Sequence, residues 1–297
     1  MINTTGCGTA LVTPFQPNTE LDLEAYRKLV RWQIDSGINF LVPVGTTGES
    51  VTLTEEEYRD VIRTCVETVA GEVPVVAGAG TNNTAHAVHL AGIAQEQGAD
   101  ALLAVTPYYN KPTQEGLLRH FQKIAESINI PVILYNVPGR TVINITAETA
   151  LLLAQIDNII GIKEASGDLG QVMQILAHRP PGFLVLSGDD SLALAITVLG
   201  GEGVISVASN LIPAEMTRII DLARRGELEE ARKFHYHYLS LMDLNFIETS
   251  PIPVKYALSR MGKLEEVYRL PLCPLSEANK ERMDQELQKL KLVSPRD

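Results

Sequence analysis

Eight short runs of apolar, β-branched residues punctuate the first two-thirds of the chain, and they restrict its fold more than any other feature. They read GTALVTPF (8–15), NFLVPVG (39–45), VPVVAGAG (73–80), ADALLAVTPY (99–108), IPVILYNVP (130–138), IIGIKE (159–164), FLVLSGDD (183–190) and GVISVAS (203–209). Their apolar residues are continuous instead of alternating, which is how strands buried on both faces read. Segments of helical periodicity separate them. LDLEAYRKLVRWQIDSG places Leu23, Tyr26, Leu29, Val30 and Ile34 on one face and stops at Gly37. TLTEEEYRDVIRTCVETVAG opens with Thr54 and first-turn acids that suit the N-terminal dipole, and closes at Gly71. Buried strands alternating with helices at a spacing of roughly 25–35 residues predict an α/β chain folded as a (β/α)8 TIM barrel. An open doubly wound sheet normally carries a glycine-rich turn after its first strand. Here that segment is TPFQPNTELD, with no GxGxxG.

From about residue 212 the pattern is helical throughout. The expected division is therefore a barrel over 1–225 and a C-terminal helical region over 226–297, without a low-complexity linker. A formal net charge of −11 argues against non-specific nucleic-acid binding, because an acidic surface repels phosphate. No stretch approaches the ~18 uncharged apolar residues of a membrane span, and the N-terminus lacks a charged leader. Cys7, Cys65 and Cys273 are far apart and form no CxxC pair, so reduced thiols in a cytoplasmic protein are expected, each acting as a small buried hydrophobe.

In a barrel, chemistry gathers where strands end and βα loops begin. Those positions hold GTTGES (45–50), TPYYNKP (106–112), YNVPGRT (135–141), Lys163–Glu164, SGDD (187–190) and SVASN (206–210). Most have a plain structural reading beside a functional one. GTTGES reads as a capped turn or as a carboxylate cradle of amides and hydroxyls. Tyr108 and Tyr109 read as packing in a rigid loop, with Tyr109, like Tyr135, also a candidate proton carrier, and Arg140 as a solvated loop residue or a ligand clamp. Asp189 and Asp190 read as the N-cap and first-turn acid of a helix. His235 and His237 are two apart on a helix and face different ways, and with no HExxH among six histidines no metal is assigned. Lys163 resists the plain reading. An ammonium at the end of a buried strand is costly. Apolar walls favour the neutral amine, which is a nucleophile toward carbonyls and forms a Schiff base.

Taken in order and spacing, GTTGES, TPYYNKP, LYNVPGRT, GIKEASGD, LSGDD and GGEGVISVASN, with SPIPVKYAL at 250–258, resemble the dihydrodipicolinate synthase family of Schiff-base aldolases, within the wider N-acetylneuraminate lyase group. The resemblance runs over essentially the whole chain, and GTTGE with Arg140 favours the synthases over the lyases. It implies a lyase of lysine and diaminopimelate biosynthesis whose substrates are pyruvate and L-aspartate 4-semialdehyde, with no cofactor beyond the covalent Schiff base. Lys163 would bind pyruvate. Tyr135 would shuttle protons, hydrogen-bonded to Thr46, with Tyr109 completing the relay from a neighbouring subunit of a homotetramer built as a dimer of dimers. Thr46 and Thr47 would hold the pyruvate carboxylate and Arg140 that of the semialdehyde. Gly188 and Ile205 would line the pocket through backbone carbonyls.

In lysine-inhibited members an effector site uses a histidine or acid on the second helix and an acid after the third strand. The corresponding positions here are Glu55, Tyr58 and His86, with Ser50, Asn82 and Tyr108 retained. An acid is lost at position 86, so weak or absent inhibition by L-lysine is expected. A pyruvate-dependent lyase of 2-keto-3-deoxy sugar acids or related keto acids, and a catalytically silent barrel that binds a small acid, are the competing readings.

Overall fold

The computed structural model describes residues 2–294. All eight expected strands form: β1 (Gly6–Ala10), β2 (Phe40–Val42), β3 (Val76–Gly78), β4 (Ala101–Val105), β5 (Val132–Asn136), β6 (Ile159–Glu164), β7 (Leu184–Ser187) and β8 (Gly203–Ser206). Every pairing is parallel, in the order β2-β1-β8-β7-β6-β5-β4-β3. A parallel bridge between Leu41 and Val75, with the Gly78 amide donating to the Pro43 carbonyl at 3.0 Å, joins the two ends and closes the barrel. Two apolar layers result. Ala10, Phe40, Val42, Val76, Leu103, Ile133, Leu186 and Ile205 fill the interior, and a larger shell packs strands against helices.

The helices of the first half are α1 (Leu23–Asp35), α2 (Glu55–Val69), α3 (Thr84–Glu96) and α4 (Gln114–Ala125). In α1 the buried face is Tyr26, Leu29, Val30 and Gln33; Leu23 and Ile34 are only half-buried. Gln33 earns its place by accepting from the Thr9 hydroxyl of β1 at 2.6 Å. Thr54 and Glu57 cap α2 reciprocally, side chain to amide in both directions. There follow α5 (Pro138–Thr141), α6 (Ala147–Leu153), α7 (Leu169–His178), α8 (Asp190–Val198) and α9 (Pro213–Arg224).

Beyond the turn at Gly226 lie α10 (Leu228–Leu244), α11 (Ile252–Arg260) and α12 (Glu277–Lys289). The 225/226 division falls in that turn but does not separate two cores. Leu241, Met242, Val254, Leu258, Met283 and Leu287 belong to the same apolar shell as the barrel. Cys7 and Cys65 are buried as expected, whereas Cys273 is exposed, because the segment leading to α12 runs along the surface. No helix among the described residues is long and apolar enough to cross a membrane.

Candidate active site

Alternation along β6 sends Lys163 into the barrel and its neighbours Ile162 and Glu164 toward the helices. The register sets Lys163 opposite Tyr135 on β5 and Leu186 on β7. Lys163 is 4% exposed, and its Nζ stands 4.1 Å from the centroid of the Tyr135 ring. Gly188 leaves the room it needs: a Cβ at that position would lie 3.1 Å from Lys163 Cε and 2.5 Å from Ala165 Cβ. Ile205 is packed with Tyr135 in the interior layer.

Burial pushes the Asp189 and Asp190 carboxyls up; Lys163 pulls Asp189 back, and hydrogen bonds from Ser206 and the Ala208 and Val207 amides, with Lys163 last, pull back Asp190. Asp189 and Asp190 take the expected N-cap and first-turn positions of α8, but neither side chain caps the helix. Asp189 occupies the cap position without a side-chain hydrogen bond. Asp190 instead accepts the Ala208 and Val207 amides through Oδ2, at 2.8 and 3.2 Å, and fixes the loop after β8.

Glu164 is buried on the outer face. It accepts from the Ser166 amide at 2.8 Å, Gln171 Nε2 at 2.8 Å and Asn136 Nδ2 at 3.1 Å. Burial raises its carboxyl, and the bonds from Asn136, Ser166 and Gln171 bring it part of the way back. Asn136 follows Tyr135 directly, so the Asn136–Glu164 contact holds β5 and β6 in the register that faces Tyr135 to Lys163.

The GTTGES segment is a tight turn after β2. The Gly48 amide donates to the Gly45 carbonyl at 3.1 Å, and the Gly48 carbonyl accepts from the Thr13 hydroxyl at 2.7 Å. Glu49 takes a left-handed backbone, φ 52°, before a 3-10 turn over Ser50–Thr52. Thr46, Tyr135 and Arg140 line one cavity of about 420 Å3. Thr47 is buried. Arg140, on α5, is exposed, with Nη2 donating to the Ser250 carbonyl at 3.0 Å. Lys163 is not itself among the lining residues; it adjoins this cavity through the ring of Tyr135. Among the described residues, no group of three or more His, Cys, Asp or Glu side chains is placed to hold a metal.

The model of the dihydrodipicolinate synthetase family matches residues 3–290. The chain belongs to this family. It is 52% identical to the 4-hydroxy-tetrahydrodipicolinate synthase of Pelodictyon phaeoclathratiforme, over 97% of this chain and 98% of that one. With the synthase of Koribacter versatilis it shares 53% identity, over 94% and 93%. Among solved structures it resembles the chloride-inhibited dihydrodipicolinate synthase of Acinetobacter baumannii complexed with pyruvate. That match has TM-score 0.96 and 40% identity, over 98% of this chain and all of the other. A dihydrodipicolinate synthase of Cyanidioschyzon merolae with lysine bound matches at TM-score 0.95 and 40% identity, over 97% and 99%.

Six residues implied by the family resemblance are outside the lining of this cavity in the single chain: Lys163, Thr47, Gly188, Ile205, Tyr109 and Asn82. Tyr109, at φ 73°, is 88% exposed and outside the lining. Asn82 is outside it as well, its carbonyl accepting from Asn110 Nδ2 at 2.9 Å. The other effector positions, Ser50, Glu55, Tyr58, His86 and Tyr108, share the cavity with Thr46 and Tyr135. Two of them are already engaged. Tyr58 donates to the Gly78 carbonyl at 2.8 Å. Glu55 meets His89 Nε2 at 2.8 Å and Arg59 Nη2 at 3.1 Å, which hold its carboxyl below the usual range.

Residues that the sequence reading left without a role also reach the site's frame. Glu49, within GTTGES, pairs with Lys255 of α11. Arg269 forks onto Glu57, one oxygen 2.5 Å away, and also reaches the Thr52 and Thr19 carbonyls. The signal for Lys255 was present in IPVKYAL, a lysine inside an apolar run like that of Lys163.

Proposed function

We infer that the protein condenses pyruvate with L-aspartate 4-semialdehyde to give 4-hydroxy-tetrahydrodipicolinate, the entry step to diaminopimelate and lysine. The observation that carries this is the buried Lys163 amine, 4.1 Å from the Tyr135 ring, at the end of a barrel strand beside a cavity lined by Thr46 and Arg140. Lys163 Nζ adds to C2 of pyruvate, and loss of water leaves an iminium. A C3 proton then departs to give the enamine, the iminium nitrogen taking the electron pair, so no separate cofactor is required. C3 bonds to the aldehyde carbon of the semialdehyde, whose oxygen takes up a proton. The semialdehyde's own amine next attacks C2, closing the ring and expelling Lys163 as a free amine. Tyr135 passes the protons, in a relay with Thr46 and Tyr109. Thr46 and Thr47 receive the pyruvate carboxylate and Arg140 the semialdehyde carboxylate.

The working form is a homotetramer in the cytoplasm in which a neighbouring subunit supplies Tyr109; the exposure of that phenol in the single chain supports the reading. Feedback by L-lysine is weak or absent. Position 86 offers an imidazole where an acid would pair the effector's ammonium, and Glu55 is committed to Arg59 and His89.

Incubation with pyruvate and borohydride, followed by peptide mass spectrometry, tests the core of this. An adduct on Lys163, absent in a folded Lys163→Ala variant, is expected. No adduct removes every Schiff-base reading, and turnover of keto-sugar acids in preference to the semialdehyde removes the synthase reading alone.

A further inference from the structure

Lys255 is the second lysine inside an apolar run, and it is fully buried. Its Nζ donates to Glu49 Oε1 at 2.5 Å, with the Phe15 and Tyr268 ring centroids 4.4 and 5.3 Å away. Glu49 Oε2 accepts the Arg269 amide at 3.3 Å. Stability alone is a weak reason for such a pair, since desolvation offsets most of the attraction and apolar residues of similar volume often serve as well. Its location supplies another reason. Glu49 closes the GTTGE turn, its amide donating to the Thr46 carbonyl at 3.2 Å, in a left-handed conformation that a glutamate adopts only when held. The chain just before Lys255 also carries the Ser250 carbonyl that receives Arg140. One short segment of the C-terminal region therefore touches the frame of both substrate-binding arms.

We propose that Glu49 and Lys255 are positioning residues for pyruvate: their buried pair locks the Gly45–Glu49 turn in the conformation that presents Thr46 and Thr47 to the substrate carboxylate. Helix α11 is then part of the binding apparatus and not only an added layer on the barrel. This rests on the reading of Lys163 as the pyruvate-binding lysine.

The test is the pyruvate concentration needed for half-maximal borohydride trapping on Lys163. The double variant Glu49→Leu/Lys255→Met removes both charges at similar volume and leaves neither one stranded. It should melt near the parent temperature yet require about tenfold more pyruvate, the scale expected when a substrate-binding turn shifts by a fraction of an ångström. A purely structural pair would lower the extent of trapping through the unfolded fraction and leave the half-saturation point unmoved. A folded double variant with the parent's half-saturation overturns the proposal. Should the double variant not fold, Glu49→Gln decides: it keeps the volume and a hydrogen-bonding oxygen, and should raise half-saturation about threefold or more. An unchanged value there also overturns the proposal. Failure of the parent protein to trap pyruvate refutes the lysine assignment, and this inference with it.

Discussion

Gly188→Ala isolates a steric effect at the Lys163 amine. The glycine's backbone is not left-handed, so alanine is conformationally permitted, and the added methyl is the whole perturbation. That methyl would meet Ala165 Cβ at 2.5 Å, the Glu164 carbonyl oxygen at 3.1 Å and Lys163 Cε at 3.1 Å. Carbon pairs rest at about 3.5–4.0 Å, so the clash with Ala165 is roughly 1 Å deep. Neither methyl can rotate away, and the strand ends must part. Overpacking on this scale costs about 1–3 kcal/mol, or a fall of roughly 2–10 °C in Tm. Lys163 must also retreat by several tenths of an ångström, and displacement of a catalytic group by about 1 Å can cost a hundredfold in rate. The single-turnover rate of pyruvate trapping should therefore fall about ten- to a hundredfold. Gly92→Ala on α3 is the control, since nothing lies within 4 Å of its new methyl. It should raise Tm slightly, by the ~0.5–1 kcal/mol that alanine gains over glycine in a helix, and leave trapping unchanged. A Gly188→Ala protein with parental Tm and trapping rate would refute the claim that this glycine makes room for the lysine.

Arg140→Ala should leave pyruvate trapping intact and raise KM for the semialdehyde by about tenfold or more, the worth of a charge-assisted contact; unchanged steady-state kinetics would count against the clamp. Arg269→Gln should cost about 1.5–3 kcal/mol at neutral pH by removing a charged hydrogen-bonding partner of Glu57. Glu57 has its carboxyl held below the ordinary 4.5 chiefly by Arg269, so the stability from this pair is fully present above that value. It disappears as pH falls through the lowered one. The gap between parent and variant in denaturant melts should accordingly close on acidification below pH 4.5, and a gap constant with pH would rule out the linkage. L-lysine should inhibit no more tightly than about 1 mM; a sub-millimolar inhibition constant would show that His86 and Glu55 do not disable the effector site.

The barrel was legible because a strand buried on both faces must be apolar without alternation, and eight such runs leave few other architectures. Strand ends were less so. The run 8–15 overshoots β1, which covers Gly6–Ala10, since Leu11, Val12 and Phe15 are buried in the loop and not in the sheet. Apolarity reports burial, and a βα loop that folds into the core is as apolar as a strand. At the site, Lys163 stood out as a charge where none belongs, and the hydroxyl-rich turn and Arg140 came from their places after strands. Pairings across long sequence distances were invisible. Nothing local couples Glu49 to a residue 206 positions on, or Arg140 to Ser250, 110 positions on. For a related reason nothing local showed that Asp190 turns from its own helix to amides of the next loop.

The Glu49–Lys255 contact also has a temporal side. A ribosome adding about 5–20 residues per second needs on the order of 10–40 s to travel from one partner to the other. Late in that interval the nascent chain carries Lys163 and most of the barrel, but the Gly45–Glu49 turn has no counter-charge to close on. Competence for pyruvate would then arrive late in synthesis, with α11, and a ribosome-bound chain stalled short of residue 255 should carry Lys163 without the means to saturate it.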